Sequence, residues 1–437
     1  MIVDLLSGVA LPIFLLMSGA YFTVRLSRYF WRHPCKAVRG MLHCGGEGGT
    51  TPTRALAVAL AGTLGVGNIA GVATAIALGG PGAVFWMWVA AALAMSLKYA
   101  EIVLALATRR YESAAIGGVH GGAMYYIKEA FRGKVGRVLA AAFAILCVLL
   151  ALTLGTMIQA NAAAEALSGV FHLSPLAVGG VMGALAVLLL AFGAKWVEDA
   201  CAALVPFACL LFCILSAGVL YLRRAALPEA FAAIFRGAFT VQGATGGVFG
   251  FFTGGAVRYG VSRGLVSNEA GCGTAPIAHA ASNAKSPAQQ GFWGIFEVFV
   301  DTILLCTLTA LVILVSGVEM TGGGVFSAIR AYGESLGSIA PPLLAILITL
   351  FAFATVLCWS HYGLEALSYL TRSRYVSRFF LGGVALSTMV GATLAPAFVW
   401  ELTDIVLALM TLLNLLALFL SRHRIQAETK AFFEGEL

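Results

Sequence analysis

Residues 61–82, AGTLGVGNIAGVATAIALGGPG, interrupt a long apolar segment with seven glycines, one asparagine and one proline. Glycine inside a helix costs up to about 1 kcal/mol per residue relative to alanine, so this composition weakens a continuous helix. Two interpretations follow. Small residues at the spacing of Gly67 and Gly71 allow two helices to pack closely. Alternatively, the helix is broken, and non-helical backbone at membrane depth is tolerated only where it lines a cavity or is buried in protein.

The composition of the chain is that of a membrane protein. Its 437 residues are 60% hydrophobic and 11% charged, whereas a soluble protein carries about 25% charged residues. The apolar stretches reach about 20 residues or more, which suits membrane-spanning helices, whereas a β-barrel shows roughly 10-residue alternating segments. We therefore predict an all-α polytopic membrane protein in a lipid bilayer.

Short polar breaks that contain glycine or proline divide the chain into about eleven predicted transmembrane helices. The first lacks a basic segment before it and has its arginines after it, so we predict a retained helix and not a cleaved signal peptide. The predicted spans are approximately 5–24, 54–78, 82–108, 138–167, 174–194, 198–222, 244–262, 289–316, 341–366, 377–396 and 398–421.

The basic residues are distributed unevenly between the two sides of these spans. With the N-terminus outside, 22 of the 27 Lys and Arg residues fall in cytoplasmic segments, four fall outside, and Lys98 lies within a span. The positive-inside rule favours this orientation, which also places the C-terminus in the cytoplasm. The net charge of +7 then reflects membrane topology, and we predict no nucleic-acid partner.

The polar residues of the sequence form no constellation typical of an enzyme. The nine cysteines are scattered, and neither they nor the seven histidines show metal-ligand spacing. The sequence also lacks a phosphate-binding loop, an activated nucleophile and a repeated filter motif. An enzyme, an ATP-driven pump and a channel are therefore less favoured than a secondary transporter, and no cofactor is expected.

A second interruption, residues 241–260 (VQGATGGVFGFFTGGAVRYG), opens the seventh predicted span. With the first span set aside, the interrupted helices are the first and sixth of the ten that remain, as an inverted five-plus-five repeat would place them. This match favours a broken-helix transporter. The predicted organisation is an extra N-terminal helix with a basic loop (1–52), two five-helix repeats (53–222 and 223–421) and a cytoplasmic tail (422–437).

Several motifs resemble those of the alanine/glycine:cation symporter family, and together they cover nearly the whole chain after the first span. They are GTLGVGNIAGVATAIALGGPGAVFWMWV (62–89), GGAMYYI (121–127), SRGLVSNEAGCGTAPIAHAAS (262–282), QGFWGIFEVFVDTILLCTLTALVILVSG (290–317) and FAFATVLCWSHYG (351–363). The resemblance implies sodium-coupled uptake of a small neutral amino acid across a bacterial plasma membrane. It also implies the leucine-transporter-type inverted-repeat fold, with no obligate protein partner.

The tetrad GVGN, which begins at Gly65, resembles the G-L-G-N of the wider sodium:neurotransmitter symporter group. The resemblance implies that the N–H groups of Val66 and Gly67 hold the substrate carboxylate, at a half-helix N-terminus whose dipole favours an anion. The side-chain oxygen of Asn68 would accept a hydrogen bond from the substrate ammonium or ligate sodium. An asparagine that only bonds a neighbouring helix is the alternative.

The sodium ion is implied to lie between this break and the ninth span. Its ligands would be the backbone carbonyls of Ala61 and Leu64 on one side, with the carbonyl of Phe351 and the hydroxyl of Thr355 on the other. Neutral oxygens suit sodium, which does not require a carboxylate ligand. A membrane threonine that only bonds its own i−4 carbonyl is the alternative for Thr355.

Four further residues are implied to complete the substrate pocket. Gln159, in mid-span, carries an amide that can both donate and accept, although an interhelical clasp would satisfy it equally. Trp359 would cap the pocket or serve as an ordinary core aromatic. Thr253 and Gly254 come from the second break, where this chain lacks the glutamine that the family often has. That difference leaves open a substrate larger than alanine or glycine, such as glutamine.

Acidic residues inside membrane segments are candidates for function. We predict that Asp301 bonds a neighbouring hydroxyl or amide, and the alternative is a proton relay in a proton-coupled amino-acid symporter of the same fold. Glu101 is predicted to pair with Lys98, three residues earlier on one helical face. Asn268 and Glu269 are predicted to lie in a cytoplasmic loop that is either an inner gate or a packing turn.

Overall fold

The computed structural model, which describes residues 10–42, 45–46, 49–112, 118–239, 254–318, 324–394 and 396–435, is helical almost throughout. The helices are α1 (Leu11–Arg32), α2 (Pro34–Leu42), α3 (Pro52–Thr63), α4 (Ala70–Gly79), α5 (Gly82–Thr108), α6 (Ala123–Phe131), α7 (Gly133–Leu152), α8 (Gln159–Phe171), α9 (Pro175–Ala191), α10 (Ala194–Leu222), α11 (Leu227–Ala238), α12 (Gly255–Asn268), α13 (Ala275–Ala280), α14 (Pro287–Val298), α15 (Thr307–Ser316), α16 (Gly324–Leu336), α17 (Ala340–Leu370), α18 (Arg374–Thr393), α19 (Pro396–Leu420) and α20 (Arg422–Glu434).

Shorter elements connect these helices. Two π-helical segments join α7 to α8 and α14 to α15, so that each pair forms one continuous rod. The strands β1 and β2 form an antiparallel hairpin in which Arg110 lies opposite His120. The π-helical segments are Thr153–Ile158 and Phe299–Cys306, the 3₁₀ turns are Val66–Asn68, Arg224–Ala226 and Gly337–Ile339, and the strands are Arg110–Glu112 and Gly118–His120.

Seven helical runs within the described ranges are long and apolar enough to cross a membrane, or eight if the bent pair α3–α4 counts as one span. The prediction of an all-α polytopic membrane protein is therefore confirmed. The eleven spans stay a prediction, because α9 is shorter than a typical span and neither α1 nor α12 is among these runs. The seven runs are Gly82–Thr108, Gly133–Phe171, Ala194–Leu222, Pro287–Ser316, Gly324–Leu370, Arg374–Thr393 and Thr403–Leu420.

Local sequence accounts for several helix starts. The hydroxyl of Thr51 accepts a hydrogen bond from the backbone N–H of Arg54 and caps α3, whose first residue is Pro52. Ser286 and Gln289 form a reciprocal capping box at the start of α14. A proline at the first helical position has no N–H to leave unpaired, and a capping hydroxyl satisfies an N–H that the helix cannot.

The predicted break in the first glycine-rich stretch is present. Helix α3 ends at Thr63, a 3₁₀ turn follows, and α4 leaves the break bent by 63° from α3. A turn with Gly80 at φ +71° connects α4 to α5. The predicted second break falls mostly on residues 240–253, which lie outside the described residues, so only α12 represents it.

Helices α5 and α17 form the centre of the bundle. Helix α5 packs against α1, α12 and α14, while α17 packs against α3, α7, α8 and α10. In contrast, only 28% of the apolar window of α10 and of α18 is buried inside the protein, which leaves both helices to face lipid. The broken helix α3–α4 therefore lies between two packed groups of helices, α5 with α12 and α10 with α17.

The segment predicted as a cytoplasmic tail is a packed helix. Helix α20 lies against α1, α5 and α14. Phe432 and Phe433 are buried there among aromatic rings that include Phe292. The ammonium of Lys36 donates to the backbone carbonyl of Phe433 at 3.2 Å and to that of Gly435 at 2.7 Å. Aromatic burial and capped carbonyls thus fix the C-terminal helix to the bundle.

A glycine in α12 sets the distance between α12 and α5. A Cβ atom at Gly260 would lie 2.2 Å from the backbone oxygen of Ala83, closer than real Cβ contacts. We expect Gly260→Ala to destabilise the protein by about 1–3 kcal/mol, the usual cost of overpacking. Apparent melting temperature in detergent measures this. The control is Gly180→Ala in α9, where a Cβ meets nothing within 4 Å. Equal melting temperatures for the two variants would contradict the proposed close contact.

Candidate functional site

The break between α3 and α4 leaves backbone groups without their usual helical partners. The N–H of Leu64 still bonds the carbonyl of Leu60 at 2.7 Å, but the N–H of Gly65 turns to the carbonyl of Thr63 at 2.8 Å. The carbonyl of Ala61, which an unbroken helix would pair with Gly65, is thereby released. Free N–H and C=O groups at helix ends need side chains, ligands or water as partners.

On the carbonyl side of the break, three predicted sodium ligands come together. The hydroxyl oxygen of Thr355 lies 2.8 Å from the carbonyl oxygen of Ala61 and 3.0 Å from that of Phe351. The bond to Phe351 is the predicted i−4 alternative, and the bond to Ala61 crosses from α17 to α3. The hydroxyl has one proton for two acceptors, so the three buried oxygens form a compact group with acceptor capacity left over.

On the amide side of the break, Gln159 contacts the predicted carboxylate-binding groups. Its Oε1 accepts the backbone N–H of Val66 at 3.2 Å, and its Nε2 donates to the carbonyl of Leu154 at 3.2 Å in the π-helical segment. A Cβ atom at Gly65 would lie 2.8 Å from Oε1 of Gln159 and 2.9 Å from the hydroxyl of Thr355. Only glycine permits this approach, which brings residues from α3, α8 and α17 to one point.

Asn68 bonds across to the helix run α14–α15. Its Nδ2 donates to the carboxylate Oδ1 of Asp301 at 2.6 Å and to the Asp301 backbone carbonyl at 3.0 Å. Its backbone carbonyl accepts from the hydroxyl of Thr309 at 2.8 Å. Its Oδ1, although buried, has no hydrogen-bond partner within the described part of the chain. The cross-helix alternative is therefore present, but it uses only the nitrogen of the amide.

Asp301 is fully buried and accepts hydrogen bonds on both carboxylate oxygens. Besides Asn68, the hydroxyl of Ser267 donates to Oδ2 at 2.8 Å and the hydroxyl of Thr302 donates to Oδ2 at 2.7 Å. The prediction that Asp301 bonds a neighbouring hydroxyl or amide is confirmed. Sequence reasoning missed Ser267 and Thr302, although a hydroxyl directly after a mid-span aspartate is a signal that could have identified Thr302.

A small cavity lies at the break, and in this conformation it is too narrow for a water molecule. Its walls are mainly apolar, and Asn68 is the one polar side chain among the lining residues. Phe212 of α10 and Leu305 were not predicted, because nothing in a local apolar pattern shows which face of a helix meets a distant break. The lining residues are Leu64, Gly65, Asn68, Ile69, Phe212, Leu305 and Phe351.

Of three other predicted substrate residues, one lies outside the described residues, one lies apart from this group and one lies in the 3₁₀ turn of the break. Thr253 is the one outside the described residues. Gly254 adjoins the far end of α4, since a Cβ at the next residue, Gly255, would lie 3.3 Å from the carbonyl oxygen of Leu78. Gly67 faces α12, with its Cβ position 3.6 Å from the Cα of Ser267.

Trp359 is buried one turn below Thr355, and its indole N–H donates to Glu269 at 3.1 Å. A Cβ at Gly155 would lie 2.2 Å from the Cβ of Trp359, so that glycine admits the indole. Glu269 itself is 3% exposed and accepts from the hydroxyl of Thr274 at 2.8 Å. Of the two alternatives predicted for Asn268 and Glu269, the structure agrees with the packing turn, because both residues are buried inside the bundle where α12 ends.

The predicted pairing of Lys98 with Glu101 is wrong. The ammonium of Lys98 lies 3.1 Å from Glu297 on α14, and Glu297 lies 3.0 Å from the Nε2 of His279. Glu101 instead accepts the backbone N–H of Gly273 at 2.9 Å and the amide of Asn414 at 2.5 Å. The i,i+3 spacing on α5 was correct, but tertiary packing supplied each charge with a partner from another helix.

The buried ion pair gives a test of the fold around this site. Removing one partner of a buried pair leaves an uncompensated charge, so we expect Lys98→Met to lower stability by about 3–5 kcal/mol. Adding Glu297→Gln to it should restore part of the loss. Melting temperature in detergent measures both. Lys430→Met, which removes an exposed pair with Glu434, is the control and should change little. Equal losses of stability in the Lys98 and Lys430 variants would contradict the buried ion pair between Lys98 and Glu297.

Comparisons with known proteins identify relatives along the whole chain. The family model described as "Sodium:alanine symporter family" matches residues 1–436. An uncharacterized transporter of Haemophilus influenzae is 37% identical over 433 residues, which cover 97% of this chain and 93% of that protein. "Sodium/alanine symporter AgcS" of Methanococcus maripaludis is 36% identical over 396 residues, 89% of this chain and 85% of its own. "Probable sodium/glutamine symporter GlnT" of Bacillus subtilis is 32% identical over 423 residues, 95% and 86% of the two chains.

Proposed function

Because the chain belongs to the sodium:alanine symporter family, a family of transporters and not of enzymes, we propose that it imports a small neutral amino acid together with sodium. Import would proceed by alternating access across a bacterial plasma membrane. The substrate would be alanine, glycine or a somewhat larger neutral amino acid such as glutamine, in line with the names of the two relatives whose function is given.

The observation that carries this proposal is the double-sided helix break. Carbonyl oxygens gather on one side of it and a backbone N–H faces a side-chain amide on the other. A cation needs the first arrangement and a carboxylate needs the second. One break thus offers both halves of a site for a zwitterion and its coupling ion.

We assign sodium to the carbonyl side, with the carbonyls of Ala61, Leu64 and Phe351 and the hydroxyl of Thr355 as ligands. The carbonyl oxygens of Ala61 and Phe351 lie within hydrogen-bond distance of the Thr355 hydroxyl. Leu64 lines the adjoining cavity. Neutral oxygens neutralise no charge, which matches a weakly bound ion that must leave again on the cytoplasmic side.

We assign the substrate carboxylate to the N–H groups of Val66 and Gly67, beside Gly65. In this structure Oε1 of Gln159 accepts the Val66 N–H, so that amide oxygen occupies the place of a carboxylate oxygen. Asn68 presents its Oδ1 to the ammonium or to sodium. The other proposed substrate residues are Gln159 and Thr355, which contact the break, together with Thr253, Gly254 and Trp359.

The remaining architecture is proposed from the helix order. It comprises eleven transmembrane helices, with one extra helix in residues 1–52 ahead of the repeats 53–222 and 223–421. The N-terminus would lie outside and the segment 422–437 in the cytoplasm. No obligate protein partner is proposed.

A proton-coupled symporter of the same fold is the second candidate, because Asp301 is a buried acid beside the break. Its side-chain partners Asn68, Ser267 and Thr302 are neutral hydrogen-bond donors. Counterflow in proteoliposomes with a panel of L- and D-amino acids, with sodium present or replaced by choline, separates the two. Saturable flux that persists in choline would favour proton coupling, and no flux of any amino acid would overturn both candidates.

Asn68 gives the most direct test of the substrate side. Asn68→Ala removes the unpartnered oxygen, so we expect it to abolish sodium-dependent uptake in reconstituted vesicles while the protein still inserts. The matched control is Asn161→Ala, whose amide donates only to the backbone carbonyls of Gly391 and Leu394. Wild-type uptake by the Asn68 variant would remove this residue from the site.

Thr355 gives the corresponding test of the sodium side. Thr355→Val keeps the volume and removes one oxygen ligand, and we expect the sodium concentration for half-maximal uptake to rise about tenfold, as for a lost bond to a charged partner. Thr349→Val on the same helix is the control, because that hydroxyl only bonds the carbonyl of Ala345. Equal sodium dependence in the two variants would argue against a ligand role.

A further inference from the structure

Asp301 has no role in the ligand sets proposed above, yet it contacts the break directly. Its side chain is fully buried, and its bonded partners Asn68, Ser267 and Thr302 are neutral donors. Within the described ranges no Lys, Arg or His forms an ion pair with it. The nearby Lys98 is paired with Glu297.

An ionised carboxylate in this position carries an uncompensated charge. Burial of such a charge costs several kcal/mol even after relaxation, and neutral hydrogen bonds offset only part of that cost. A monovalent cation in the adjoining space would offset much of the remainder. The cavity beside Asn68 is too narrow for a water molecule in this conformation, so a cation would bind there only after the break widens.

The carboxylate also determines which end of the Asn68 amide faces the cavity. Oδ1 and the backbone carbonyl of Asp301 both accept from Nδ2, at 2.6 and 3.0 Å. The reverse orientation would place two acceptor oxygens against each other, which is repulsive. The Asn68 oxygen is therefore held away from Asp301, buried and without a partner, in a residue that lines the cavity.

Local helix geometry supports this arrangement. Asp301 lies in the π-helical segment Phe299–Cys306, and this segment contacts the 3₁₀ turn Val66–Asn68. π-Helical turns are rare and occur frequently at functional sites. Here the segment places both a carboxylate and a backbone carbonyl against one amide.

We propose that Asp301 is a positioning residue for the coupling cation. It fixes Asn68 so that Oδ1 faces the cavity, and it supplies the negative charge that a cation at that oxygen neutralises. This inference rests on the proposed sodium symport and adds a charged residue to a site otherwise assigned neutral oxygens.

The test is Asp301→Asn, which keeps the shape, removes the charge and allows the Asn68 amide to turn over. Alanine uptake into proteoliposomes is measured against sodium concentration and, at saturating sodium, against alanine concentration. We expect the sodium concentration for half-maximal uptake to rise by about tenfold or more, since a nearby unit charge in a low-dielectric site is worth several kcal/mol. The KM for alanine should change little. An unchanged sodium dependence, or a change in the alanine KM alone, would overturn the proposal.

A second measurement separates positioning from a purely structural role. Sodium that binds the folded state raises the melting temperature in detergent without any amino acid. We expect this sodium-dependent rise to be present in the wild type and strongly reduced in Asp301→Asn. The control is Glu101→Gln, another buried acid, which should keep the full rise. Equal rises in all three proteins would contradict the inference.

If Asp301→Asn does not fold, two variants that keep the carboxylate replace it. Ser267→Ala and Thr302→Val each remove one donor, and each should raise the half-maximal sodium concentration by about threefold or more, given the strength of hydrogen bonds to charged groups. No change in either would overturn the inference. A wild-type protein without sodium-dependent uptake defeats the proposed function itself, whereas a sodium-dependent wild type with unaffected variants defeats only the role of Asp301.

Discussion

Backbone hydrogen bonding inside a bilayer is the constraint on which this site depends, because lipid offers neither donors nor acceptors. The break between α3 and α4 leaves the carbonyl of Ala61 and the N–H of Val66 without helical partners. The structure satisfies them with Thr355 from α17 and Gln159 from α8. The same groups that hold the break closed are those that an ion and a carboxylate would use. Binding would therefore exchange internal hydrogen bonds for ligand contacts at little net cost.

Two of the side chains that contact the break from neighbouring helix runs are each associated with a π-helical segment. Gln159 directly follows Thr153–Ile158, and Asp301 lies within Phe299–Cys306. A π-helical turn shifts the register of the side chains after it, which changes where they point without breaking the rod. The rods can thus stay packed against their neighbours while each presents one polar group to the break. This combination suits a binding site whose polar side chains must be held in fixed positions while the helices that carry them move as units.

Charge is handled differently in the two parts of the bundle interior. Lys98 pairs with Glu297, and His279 bonds the other oxygen of the same carboxylate, as is common for buried ionisable groups. Asp301 and Glu101 have neutral donors in place of a paired cation. The Lys98 group is therefore best understood as a structural connection between α5, α13 and α14. Asp301 lies beside the break, where a transported cation would neutralise its carboxylate.

The sequence alone determined the membrane class and the break at residues 61–82, because hydropathy and glycine spacing are local properties. The family and most of the residues that meet at the break came from the resemblance of its motifs. The prediction that Thr355 lies beside Ala61 depended on the family resemblance alone. The tertiary structure decided which side chains meet at the break. Asn68 bonds Asp301, Ser267 and Thr302 bond the Asp301 carboxylate, and Phe212 and Leu305 line the cavity. The tertiary structure also replaced the local Lys98–Glu101 pair with Lys98–Glu297. Apart from the adjacent Thr302, the hydrogen bonds to Asp301 come from side chains 34 and 233 positions away, and no local pattern encodes which faces of distant helices will pack together.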